Sequence, residues 1–171
     1  MLHKEGESMK KWIYIGLCIL LCGCSVTTSQ EKEAKELYDN HVKALIDNKG
    51  VESINIPFTH QLKMKKEKDY YTYEVVISEP DCAMYDVEFM VVDSKQVSKD
   101  TKHASLGILE NEIYNMVPYQ KNEEKRFFET LSLSGKTSEE KGTLYVMVSW
   151  KDYAKLNTNH VYFTYQFHVG E

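Results

Sequence analysis

HVYFTYQFHV, residues 160–169, alternates without a break. Val161, Phe163, Tyr165, Phe167 and Val169 fall on one side of an extended chain, and Tyr162, Thr164, Gln166 and His168 on the other. A helix, with a period of 3.6, would scatter those apolar residues around its circumference; a period of two predicts a strand with one buried face. The same period recurs upstream. YYTYEVVIS, residues 70–78, aligns Tyr71, Tyr73, Val75 and Ile77, and EPDC, residues 79–82, then reads as a turn with Pro80 pre-set for its second position. Ala83, Tyr85, Val87, Phe89 and Val91 make the next face. Phe127, Leu131 and Leu133 precede GKTSEEKG, residues 135–142, which reads as a polar hairpin loop before Leu144, Val146, Val148 and Trp150.

Weaker runs at INIPF (54–58), HQLKMKK (60–66) and Ile113 to Val117 raise the count to between six and eight short strands. No βαβ alternation is visible, so the sheets should be antiparallel and buried on one side. The fold expected from this pattern is mainly β: an immunoglobulin-like antiparallel β-sandwich over residues 51–171, preceded by one amphipathic α-helix over residues 30–50. The helix is expected from Ala34, Tyr38, Val42 and Leu45 at near-helical spacing, from Thr28 and Glu31 spaced as a capping box, and from Gly50 as a stop. Its polar face mixes Glu, Asp and Lys, which suits packing on its own domain better than lying on lipid. The alternative is an α+β fold with the helix on one curved antiparallel sheet, cystatin-like or NTF2-like. SKQVSKDTKHAS, residues 94–105, is the longest polar stretch and is expected to be a loop.

Ahead of the helix, WIYIGLCILLC, residues 12–22, is an uncharged run preceded by Lys10 and Lys11. It is too short for a membrane-spanning helix, which needs about 20 apolar residues, and has the length of a secretory h-region. Its end, LCGC at residues 21–24, resembles the lipobox of bacterial lipoproteins. That resemblance implies a signal peptide over residues 1–23, with Leu21, Cys22 and Gly23 recognised by the signal peptidase. It also implies a diacylglyceryl thioether on Cys24, the first residue after cleavage, and hence a location on the extracytoplasmic face of the cell membrane. Cys22 departs slightly from the pattern, since Ala or Ser is commoner there. The acids in MLHKEGES, residues 1–8, suit a signal poorly, so translation is expected to start at Met9. Cleavage would remove three Lys and two Glu from a formal charge of −5, leaving −6. An acidic domain is repelled by anionic headgroups, so the lipid must do the anchoring. Residues 24–29 form a short tether whose five residues after Cys24 span at most about 18 Å, which keeps the domain close to the membrane.

The remaining residues narrow the chemistry. Arg126 is the sole arginine of an acidic chain, which argues against nucleic acid; the lysine bias fits an AT-rich, Gram-positive coding sequence. The six histidines are scattered, with His160 and His168 too far apart on one strand to share a metal, so no metal and no cofactor is expected. SLSGK, residues 132–136, lacks the first glycine and the strand-to-helix context of a phosphate loop. Cys82 reads as a small structural residue rather than a reactive thiol. Lys63, Lys65, Lys66 and Lys68 form a basic run, readable as sheet-edge protection or as a surface patch for headgroups or an anionic polymer. Tyr70, Tyr71, Tyr73 and Tyr162 could form an aromatic platform, or simply reflect the preference of Tyr for strands. The function expected is that of a non-enzymatic, membrane-anchored lipoprotein binding a membrane-proximal protein or envelope polymer. It resembles, in layout, small Gram-positive surface lipoproteins with immunoglobulin-like domains. Two alternatives stay open: an envelope hydrolase or transferase with a dispersed site, and a phage or plasmid exclusion lipoprotein.

Overall fold

The computed structural model describes residues 28–48, 52–96, 101–110 and 112–169. Leu21, Cys22, Gly23 and Cys24 lie outside them. The described chain opens at Thr28 with the reciprocal capping box expected of it: Glu31 N donates to Thr28 Oγ1 (3.3 Å) while Thr28 N donates to the Glu31 carboxylate (2.9 Å). Helix α1 follows, Ser29–Asp47.

Seven strands come next: β1 (Thr59–Lys66), β2 (Tyr71–Ser78), β3 (Tyr85–Asp93), β4 (Ala104–Leu106), β5 (Thr130–Thr137), β6 (Lys141–Lys151) and β7 (Thr158–His168). They pair antiparallel in two sheets, ordered β1-β2-β5 and β4-β3-β6-β7. The fold is thus a two-sheet sandwich with immunoglobulin-like strand order, and the single-sheet alternatives are not what the chain forms. Tyr73, Val75 and Ile77 from β2 and Leu131 and Leu133 from β5 meet Phe89 and Val91 from β3, Val146 and Val148 from β6 and Phe163 from β7 in one core.

The four-stranded sheet is buried on its second face as well. Met90, Val92 and Met147 point away from the inner core and pack with Tyr38, Leu45 and Ile108. Tyr38 accepts a hydrogen bond from His103 N (2.6 Å) at the β4 side, while beyond the helix Thr164 Oγ1 donates to Glu52 (2.6 Å) and Tyr162 N to Ser53 Oγ (3.0 Å). The helix therefore crosses this sheet from the β4 edge to the β7 edge, and the segment after it shields part of β7, where an open edge would invite pairing with another chain.

Four details differ from the sequence reading. GKTSEEKG is not a hairpin loop: its first three residues finish β5 in one sheet and Lys141 begins β6 in the other, so the chain changes sheets there. INIPF adds no strand; Ile54 is 98% exposed, while Ile56 and Phe58 turn into the core. The run from Ile113 to Val117 makes only isolated bridges, Met84 with Met116 and Asn115 with Phe127. Ala104 and Ser105, at the end of the polar stretch, already belong to β4. Directly after β4, Gly107 takes φ +74, and a Cβ there would lie 2.3 Å from the Val87 carbonyl oxygen, so the backbone crossing admits only glycine.

His60, on β1, faces inward across the side of the sandwich, its ring 4.2 Å from that of Phe163 and its Nδ1 2.6 Å from the Tyr165 hydroxyl. Burial pushes its pKa below 6.5 against a smaller upward pull from Glu52, and burial pushes the Tyr165 hydroxyl up to about 12. A depressed folded-state pKa means that the unfolded chain takes up the proton first. The contribution of His60 is therefore complete above 6.5 and lost as pH falls through the folded pKa. His103, also lowered by burial, acts in the same direction. Urea unfolding should show a lower midpoint at about pH 5 than at about pH 7, with a smaller difference in His60→Gln; an unchanged difference would show that His60 does not couple folding to protonation.

Candidate functional site

Three connections meet at the end of the sandwich where β1 and β7 begin. They are the β2–β3 turn, the long β4–β5 connection and the β6–β7 turn. The first is fastened by Asp81 N to Pro57 O (2.8 Å), the second by Met116 N to Met84 O (2.8 Å) and by Val87 N to Tyr114 O (2.7 Å). The β3 register shifts between Tyr85 and Glu88, and Asp86 adopts φ 49, with its N–H donating to Asn115 Oδ1 (3.1 Å). Such a bulge re-aims a side chain. Here the Asp86 carboxylate receives Lys151 Nζ (3.0 Å) and Lys155 Nζ (3.1 Å). Partial burial raises its pKa, but those two lysines outweigh burial and hold it below the usual carboxylate range.

The β6–β7 turn is the most strongly built of the three. Asp152 N donates to Asn157 O (3.0 Å) and Lys155 N to Asp152 O (2.9 Å), while the Asp152 carboxylate accepts Asn157 Nδ2 (2.7 Å) and Leu156 N (3.1 Å). Donation from the Asn157 amide, with backbone N–H groups behind it, lowers the Asp152 pKa. Lys155, at φ 57, also reaches over the Tyr85 ring at 5.0 Å. The Tyr85 ring meets Tyr153 and Phe127, each at 6.3 Å. This scaffold holds two large side chains in solvent: Tyr153 is 81% exposed and Leu156 84%. A turn that is pinned internally while presenting a tyrosine and a leucine loses little conformational freedom on contact, the condition that favours recognition.

Beside the turn lies a groove of about 640 Å³ lined by Pro57, Cys82, Trp150, Asp152, Tyr153 and His160, among others. Cysteine, histidine and aspartate in one groove invite comparison with a nucleophilic site, but the chemistry is not assembled. Cys82 is exposed in the β2–β3 turn and not the small structural residue expected, and partial desolvation with the neighbouring Asp81 pushes its thiol up, away from thiolate. No hydrogen bond joins Cys82 to His160 among the described residues, and the Asp152 carboxylate serves its own turn. Among the described residues no three His, Cys, Asp or Glu side chains are placed to share a metal ion.

The lysines of the basic run part company. Lys63 and Lys65 project from the outer face of β1, Lys66 lies over the Tyr71 ring at 5.8 Å, and Lys68 sits in the β1–β2 turn. Lys63 pairs with Glu74 (3.2 Å) and Lys65 with Glu67 (2.7 Å). The tyrosine platform is not formed: Tyr71 and Tyr73 are buried, and Tyr162 packs beside the helix cluster. Among the described residues the exposed aromatics are Tyr70, Tyr119 and Tyr153, all in connections. Single apolar residues in turns leave no periodic trace; the one signal for the β6–β7 turn was Asp152 and Asn157 bracketing KDYAKLN, residues 151–157, between two strands. No protein-family model matches this chain, and no curated protein matches it.

Proposed function

We propose that this chain is a membrane-tethered recognition domain, held on the extracytoplasmic face by a lipid on Cys24 and binding a membrane-proximal protein through the loop end of its sandwich. The observation that carries this reading is the β6–β7 turn, which fixes its own backbone through Asp152 and offers Tyr153 and Leu156 to solvent. Aromatic anchors on a rigid turn, rimmed by polar groups, make up the central part of a protein interface. Catalysis is the weaker reading, because Cys82 has neither an activating base nor a lowered pKa.

A photo-crosslinking residue placed at Tyr153 in intact cells should give a discrete adduct that disappears when Leu156→Asp is added. The same residue at Lys43, on the exposed side of the helix, should not give it. An adduct common to both positions would overturn the loop end as the binding surface. The anchor is tested separately: labelled fatty acid should enter the wild type and not Cys24→Ser, and equal labelling would refute lipidation at Cys24.

A further inference from the structure

We infer a second binding site, on the outer face of the β1–β2–β5 sheet, for a linear polyphosphate polyanion. The strand register sets Lys65, Thr72 and Lys136 in one row across the three strands and Lys63, Glu74 and Ser134 in the next. Adjacent strands lie about 4.8 Å apart, so Lys65 and Lys136 stand roughly 10 Å apart with the Thr72 hydroxyl between them. These residues border a groove of about 550 Å³ at the far end of β1 from the loop cluster. Its walls are three cations from two strands, and its floor holds the Ser134 hydroxyl, able to donate to phosphate oxygens, and the Thr72 hydroxyl, which donates to Lys65 O (3.5 Å).

The cations are free to change partners. Lys63 and Glu74 are 57% and 38% exposed, and Lys65 is 75% exposed where it meets Glu67. Exposed pairs of this kind hold weakly. Lys136 has its Nζ 4.9 Å from the centre of the Tyr70 ring, which places its charge at the rim of the groove. Edge protection accounts for each lysine on the edge strands β1 and β5 but not for their convergence with Thr72 and Ser134 on one groove. In a chain of net charge −5 the basic groove is also local rather than a general property of the surface. A flat anionic bilayer would press equally on Glu74 and Glu67; single-file phosphates along the Lys65–Thr72–Lys136 row lie one row away from Glu74, which borders the groove and pairs with Lys63. The site shares no residue with the loop end and does not depend on that end binding a protein.

The test uses the full chain, lipidated and reconstituted in phosphatidylcholine nanodiscs, titrated with fluorescent inorganic polyphosphate. Binding is expected, with Lys63→Gln, Lys65→Gln and Lys136→Gln together weakening it at least about tenfold, while the charge-matched Lys35→Gln, Lys43→Gln and Lys102→Gln together change it less than about twofold. Thermal melts of both triples verify the fold. Repetition in phosphatidylglycerol nanodiscs separates polymer from headgroups, and polyphosphate should still bind there. No binding, equal losses from the two triples, or binding abolished on the anionic discs would each overturn the polymer site.

Discussion

Replacement of Phe89 by alanine should lower the unfolding free energy by about 3–5 kcal/mol, a large part of the roughly 5–15 kcal/mol that holds a domain of this size. Phe89 has no exposed surface and sits on β3, the strand paired with both β4 and β6, where it points into the core between the two sheets. Neither sheet can close over the missing ring without breaking a ladder, so the cavity term adds to the lost transfer energy. Urea unfolding of the Cys24→Ser chain would read the change as a lower midpoint at constant slope. A loss below about 1 kcal/mol would show that the sandwich interior is not packed around this side chain.

The second large effect belongs to the helix. Leu45 is 2% exposed and packs in the cluster of Met90, Val92 and Met147 on the outer face of the four-stranded sheet. Leu45→Ala is expected to cost about 2–5 kcal/mol. The measurement decides between two places for the helix. If it lay on lipid instead of on the sheet, the midpoint of the detergent-free chain would not move. A drop in midpoint with a single cooperative transition would establish the helix as part of the domain.

The sequence carried the strands and the helix because each bears its own period. Val161 to Val169 and Tyr71 to Ile77 needed no tertiary information to be read, and Thr28 with Glu31 announced the helix start. It also contained the helix-to-sheet contact, in VEFMVVD, residues 87–93, where apolar residues stand on both faces; reading only Val87, Phe89 and Val91 left Met90 and Val92 without a reason. What local pattern cannot specify is partner choice. A polar loop between two alternating runs looks the same whether the runs pair with each other or go to different sheets, and β5 to β6 took the second course. The site was less legible still. The lysines of β1 were visible as a run, but Thr72, Ser134 and Lys136 join them only through register, and Tyr153 and Leu156 become conspicuous only once their neighbours are folded away from solvent.

The crosswise course of the helix has a mechanical meaning. Tension arriving from the amino-terminal side is delivered to an element that lies across the strands, so it peels contacts one after another instead of shearing a whole ladder at once. Tyr38, held at His103 by two hydrogen bonds of 2.6 and 3.3 Å, is the first of those fastenings to bear load. Pulling on this protein by its leading end would detach the helix stepwise and bare the Met90 and Met147 surface before any strand of the sandwich parted.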